Sequence, residues 1–150
     1  MEQCIFCKIA KGEIPSVKIW ENEEFLSFLD INPNTEGMSL VITKDHFDSD
    51  AFLIPESIYR DLMSSAKKVV EILKKGLNVN RVSLIMEGMG VNHVHIKLYP
   101  MHGLRKEFQE IWAKEKVFFN SYPGYITTQL GPKADIDNLK KIAKKLNVSN

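Results

Sequence analysis

The sequence predicts an α+β fold with a mainly antiparallel five-stranded sheet and one long helix. Three observations carry that reading. Before residue 44, short runs of β-branched and aromatic residues are separated by turn formers; a single amphipathic stretch follows; two more strand-like runs then complete the order β-β-β-α-β-β.

Taken in order, K-G-E-I-P after Ala10 is a turn by its Gly and Pro. Val17 to Trp20 and Phe25 to Leu29 are strand-like runs joined by the polar E-N-E-E, which reads as a hairpin. Asp30 to Gly37, D-I-N-P-N-T-E-G, is a loop rich in turn formers, and Ser39 to Thr43 is a third strand. From Glu56 to Lys75, Tyr59, Leu62, Met63, Ala66, Val69, Val70 and Leu73 recur at helical spacing, and Gly76 is placed to end that helix. Val82 to Met86 is the fourth strand, E-G-M-G a short link, and N-H-V-H-I-K-L-Y-P, Asn92 to Pro100, the fifth. The tail is different in texture. Leu104, Phe108, Ile111 and Trp112 suggest a second helix, Tyr125 to Leu130 a short strand, and Ile136, Leu139, Ile142, Ala143 and Leu146 a final amphipathic helix. The expected organisation is a catalytic domain over residues 1–103 and a C-terminal extension, residues 104–150, packed on it.

Composition bounds the function. With 44% apolar and 26% charged residues the chain is an ordinary globular one, and 20 basic against 19 acidic residues leave a net charge of +1. No global field recruits nucleic acid or an anionic membrane, so an anionic ligand must be held locally. The four lysines of the last helix, Lys140, Lys141, Lys144 and Lys145, carry no interleaved aromatic and read as a solvated face rather than a nucleic-acid patch. No apolar run approaches the roughly twenty residues that span a bilayer, and M-E-Q-C-I-F-C-K lacks the pattern of a signal peptide, so the expected compartment is the cytoplasm.

The fifth strand concentrates the chemistry. Alternation places Val94, Ile96 and Leu98 on one face and His93, His95, Lys97 and Tyr99 on the other. A half-solvated strand also alternates, but two of the chain's four histidines in one short run is an unusual wet face. A neutral imidazole on a rigid strand can attack phosphorus, and the phosphoramidate so formed is labile to water. Lys97, about 7 Å along the same face, is placed to meet a phosphate oxygen, and Gly88 and Gly90 could offer backbone N–H groups without side-chain obstruction. The only cysteines, Cys4 and Cys7, are spaced C-x-x-C. Metal binding, buried reduced thiols and redox chemistry all remain open for them, and a zinc site would need two further ligands from His46, His93, His95 and His102. Against the redox reading, the motif precedes a turn instead of opening a helix in a βαβ unit.

Together, C-I-F-C-K-I, G-E-I-P, F-L-D-I-N-P, L-V-I-T-K-D-H and H-V-H-I-K, in unbroken order from Cys4 to Tyr99, resemble the histidine-triad (HIT) family of nucleotide hydrolases and nucleotidyl transferases. The resemblance implies a helix-plus-antiparallel-sheet fold and a homodimer whose sheets join. It implies that His95 attacks the α-phosphate of a nucleotide, a dinucleoside polyphosphate or a phosphoramidate, to give a nucleotidyl-histidine. It further implies a structural zinc held by Cys4, Cys7, His46 and His93, with Asp30 receiving the ribose hydroxyls and Ile5, Phe6, Leu29 and Ile31 lining the base pocket. For those apolar residues plain core is the competing reading. The departures are Lys97 in place of the third histidine, a shorter link before the strand with Met86 or Glu87 where the family has an asparagine, Gly90 near a family Ser or Gln, and the tail beyond Gly103. A lysine holds phosphate but does not relay protons as imidazole does. The alternative function is therefore a zinc-stabilised nucleotide-binding module with little catalysis.

Overall fold

The computed structural model describes residues 4–146. It contains α1 (Ile5–Ala10), β1 (Lys18–Glu21), β2 (Phe25–Leu29), β3 (Ser39–Thr43), α2 (Glu56–Leu77), β4 (Val82–Ile85), β5 (His95–Pro100) and α3 (Ile136–Lys145). The five strands form one sheet in the order β1-β2-β3-β5-β4, and each neighbouring pair is antiparallel. The predicted class and strand count therefore hold.

Local chemistry explains the turns. Asn22 Oδ1 accepts the N–H groups of Glu24 and Phe25 at 3.1 and 2.7 Å, closing the β1–β2 hairpin inside E-N-E-E. Helix α2 begins with Glu56 in its first turn and ends with Lys74 and Lys75 in its last, both favourable to the helix dipole. It runs through Gly76 and stops at Asn78, which takes the left-handed conformation (φ 52°) and donates its N–H to Lys74 O. The predicted stop at Gly76 was therefore early, because asparagine can also make a left-handed cap.

Both faces of the sheet are covered. Leu62, Ala66, Val69 and Leu73 of α2 pack on Phe25, Val41, Val94, Ile96 and Leu98, all buried. At about 1.5–3 kcal/mol for each large apolar side chain removed from water, this layer is the main source of stability. On the opposite face α1 brings Phe6 and Ile9 onto Leu26, Phe28, Leu40 and Ile42. The predicted alternation in β5 is realised: Val94, Ile96 and Leu98 face α2, and His95 turns toward the α1 side, where its ring meets Phe6.

The chain divides into two compact units, residues 1–109 and 110–150. Two expectations for the tail are corrected. Leu104, Phe108, Ile111 and Trp112 form no helix; Phe108, Ile111 and Trp112 are exposed, and an amphipathic stretch without a buried face gains too little to stay helical. Residues 125–130 form no strand. Among the described residues, their backbone tie is a bond from Val117 N–H to Leu130 O, and a strand requires a ladder. The final helix is present as α3. No helix among the described residues is long and apolar enough to cross a membrane.

Candidate active site and metal centre

The C-x-x-C segment opens α1, with Cys4 at its N-cap and Cys7 one turn in. That corrects the expectation of a motif that merely precedes a turn. A six-residue helix leaves too few residues for periodicity to reveal it. Its consequence is that both thiols point to the lead-in of β5. The ligand atoms of Cys4, Cys7, His46 and His93 all lie within 4.8 Å of one another. His93 Nδ1 is 3.5 Å from Cys4 Sγ and 3.5 Å from Cys7 Sγ, and His46 Nδ1 is 3.4 Å from Cys7 Sγ.

Those separations test whether a metal fits. Zn–S and Zn–N bonds at tetrahedral angles place sulfur and nitrogen about 3.6 Å apart, close to what these four side chains show. The tautomer also fits. The hydroxyl of Thr43 donates to Asp45 O, so Thr43 O and Oγ1, at 2.9 and 3.0 Å, both accept from His93 Nε2–H, leaving the Nδ1 lone pair directed at the thiols, as a metal ligand would need. Burial lowers the pKa of His93 and keeps it neutral, whereas burial, reinforced by Cys4, pushes the Cys7 thiol up. A bound divalent cation would reverse the latter by favouring thiolate.

The second cluster lies beside the first. A cavity of about 310 Å³ is lined by Ile5, Phe6, Leu29, Asp30, Ile31, Gly90, His95 and Lys97, with further apolar side chains including Ile14 and Leu40. Its size suits the small end of ligand pockets, and its lining is apolar with a few convergent polar groups. Asp30 Oδ1 accepts Asn32 N–H at 2.7 Å, fixing the loop after β2 and leaving its other oxygen for a ligand. His95 Nδ1–H donates to His93 O at 2.7 Å, so Nε2 carries the lone pair. Burial, and then the Lys97 charge, lower the pKa of His95, partly opposed by that backbone bond, Glu87 and Asp30. At neutral pH the ring is uncharged. Phe6 stands edge-on to both rings, with centroids 5.8 Å from His93 and 5.3 Å from His95, so one α1 side chain spans both clusters.

All predicted site residues but one fall into these two groups. Gly88 is absent from the cavity lining. It sits at φ +70° with its carbonyl accepting Ser49 Oγ at 2.8 Å, and a Cβ there would lie 3.0 Å from Ser49 O. Its freedom from a side chain serves that close approach. Gly90, at φ +85°, does line the cavity. Sequence reasoning did not foresee the pairing of Glu87 with Lys97: its carboxylate lies 2.9 Å from Lys97 Nζ. The pairing depends on β4–β5 register, in which Ile85 lies opposite Lys97, and no local sequence signal gives that register.

A profile described as "HIT domain" matches residues 11–104. The chain belongs to the HIT family. Among relatives, an uncharacterized HIT-like protein of Methanocaldococcus jannaschii is 40% identical over 103 residues, covering 66% of this chain and 79% of that one. An adenosine 5'-monophosphoramidase of Saccharomyces cerevisiae is 35% identical over 118 residues, covering 78% and 74%. An adenylylsulfatase of Arabidopsis thaliana is 31% identical over 119 residues, covering 76% of this chain and 58% of that protein. Of solved structures, a HIT family protein from Bacillus anthracis is similar with a TM-score of 0.63 at 30% identity, covering 97% of this chain and 96% of that one. These HIT relatives, with the five-stranded antiparallel sheet and long helix, support a nucleotide hydrolase.

Proposed function

We propose that this HIT protein cleaves or transfers a nucleoside monophosphate group, taken from a nucleotide phosphoramidate or a dinucleoside polyphosphate, through His95. The observation that carries the reading is the His95 tautomer: Nδ1–H is committed to His93 O, so Nε2 is the ring atom available to a ligand in the cavity the residue lines. Nε2 attacks the α-phosphorus and a P–N bond forms. The bond to the leaving group breaks, and that group departs with the electron pair and takes a proton from solvent, which is returned when water cleaves the positively charged phosphoryl-imidazole. Water then adds to phosphorus, releasing the nucleoside monophosphate and restoring neutral His95. Lys97 and the Gly90 N–H meet phosphoryl oxygens, Asp30 receives the ribose hydroxyls, and Ile5, Phe6, Leu29 and Ile31 hold the base. Gly88 acts on the phosphate only through the loop that it shapes.

In the same reading Cys4, Cys7, His46 and His93 hold a structural zinc, which with four protein ligands has no open position for substrate. The protein works in the cytoplasm as a homodimer joined through its sheets, and β4 is one of the two sheet edges. The test mixes the protein with adenosine phosphoramidate and, separately, diadenosine tetraphosphate, following AMP release. Release that vanishes in His95→Ala, with the variant still folded, supports the mechanism; release that persists there sinks it. The second reading, a binding module with little turnover, is favoured by the engagement of Lys97 with Glu87, and binding without product from the wild type would select it.

A further inference from the structure

We propose that Glu87 is a specificity-determining residue: paired with Lys97, its carboxylate sets the site against substrates whose leaving group is anionic. The inference rests on the nucleotide-hydrolase reading and deepens it by naming the leaving-group class, an amine or another uncharged group.

Strand register brings the two charges together. Ile85 is opposite Lys97 across β4 and β5, and the chain continues through Met86 to Glu87, bringing that carboxylate to 2.9 Å from Nζ. The side chains of Lys97 and Glu87 are 23% and 9% exposed, so water screens the pair less than a surface pair. Lys97 is also the only cation among the described residues lining the cavity, and Asp30 lines it too. Glu87 itself lies outside that lining, so the cavity holds one carboxylate and one cation, and the cation is already paired from behind. A pocket that gathers a polyphosphate concentrates positive charge, and this one does not. A phosphoramidate places one phosphoryl group here and loses a neutral amine. A dinucleoside tetraphosphate brings a chain of further anionic phosphates to a cavity whose one lysine is already neutralised by Glu87.

The experiment measures kcat/KM for adenosine phosphoramidate and for diadenosine tetraphosphate in wild type, Glu87→Gln, Glu87→Asp and Lys97→Gln, at low and high salt. Glu87→Gln should raise the tetraphosphate-to-phosphoramidate ratio by about tenfold, chiefly through KM, and salt should shrink the gain. Glu87→Asp keeps the charge and should keep the wild-type ratio. Lys97→Gln removes the counter-ion and should move the ratio the other way, which keeps the test decisive should Glu87→Gln fold poorly. An equal change for both substrates, or an unmoved ratio, overturns the proposal. Wild type that releases no AMP, or His95→Ala that still does, overturns the hydrolase reading instead. Calorimetric affinities for ATP and AMP then decide the role of the Glu87 charge. A rise of about tenfold in their ratio in Glu87→Gln supports it, whereas an unchanged ratio, or wild type that binds neither nucleotide, overturns it.

Discussion

His93 and His95 stand two residues apart, both buried, both with pKa values pulled down by burial, and both against the ring of Phe6. Their difference lies in what holds the nitrogens. His93 spends both: Nδ1 on the two thiols and Nε2 on Thr43. His95 spends one, on the carbonyl of His93, and keeps the other. Two identical side chains in near-identical burial thus differ in hydrogen bonding: one has both nitrogens engaged, and the other keeps Nε2 for the cavity, as the proposed nucleophile must. His93 also orients His95, because its own backbone carbonyl is the acceptor that fixes the His95 tautomer.

That division is most directly broken by truncating each in turn. His95→Ala should lower kcat by about 10³-fold or more, equivalent to some 4 kcal/mol of barrier, as expected for a lost nucleophile. Its cost to stability should be about 1–2 kcal/mol, from one hydrogen bond and a lost ring. Single-turnover kinetics and thermal denaturation on the same preparation check both halves. If melting collapses together with activity, the two histidines are one structural unit and the contrast fails.

His93→Ala should show the opposite balance. Loss of a ligand should reduce bound metal from about one per chain toward none, with a fall of roughly 3 kcal/mol or more in stability. Chelation of the wild type should reproduce that fall, read as a drop of about 10 °C in melting temperature. Activity should fall as well, but through KM, since α1 carries Cys4 and Cys7 and also the cavity residues Ile5 and Phe6. A metal-free wild type with an unchanged melting temperature would remove zinc from the account and leave four side chains that merely pack.

How much of this could be read from the sequence depends on the range of the interaction. The five strands, the long helix and the two-faced pattern of β5 are local, period-2 or period-3.6 features, and the structure repeats them with boundary shifts such as Val82–Ile85 for 82–86. The strand itself starts at His95, later than Asn92, because His93 is taken up by Thr43 and the thiols before pairing with β3 begins. The four-ligand set came from resemblance, and no spacing rule could join Cys4 to His93 across 89 positions. Short α1 lay below the reach of periodicity. Glu87 was illegible for a different reason: its meaning is its apposition to Lys97, fixed only when β4 docks in register.

A smaller effect sharpens the catalytic side. Asp30 is held by its loop through the Asn32 N–H and lines the cavity, so its carboxylate is fixed before any ribose arrives. Asp30→Asn keeps the shape and one acceptor but loses charge-assisted bonding. We expect KM for adenosine phosphoramidate to rise about tenfold, near 1.4 kcal/mol, with kcat changed less. A 2'-deoxy substrate should lose much the same in wild type and little more in the variant. Independent, additive losses would mean that Asp30 does not touch the sugar.

The smallest expected effect comes from an ion pair without burial, which serves as a control for the polar groups along β5. Glu21 accepts from Lys44 and Lys18, each at 3.2 Å, on an exposed edge. Hydrogen bonds from Lys44 and then Lys18 hold its carboxyl below the ordinary carboxylate range. A depressed folded-state pKa adds stability that is present above the unfolded value, near 4.3, and is lost as pH falls through the folded value. Glu21→Gln should therefore shift the melting temperature by about 1 °C or less at pH 7, with the difference fading as pH falls through the folded value and in high salt. A larger shift would mean that exposed charge pairs matter in this fold as much as buried ones. In that case the 9% exposure of the Glu87 side chain would no longer explain why its carboxylate should govern the neighbouring site.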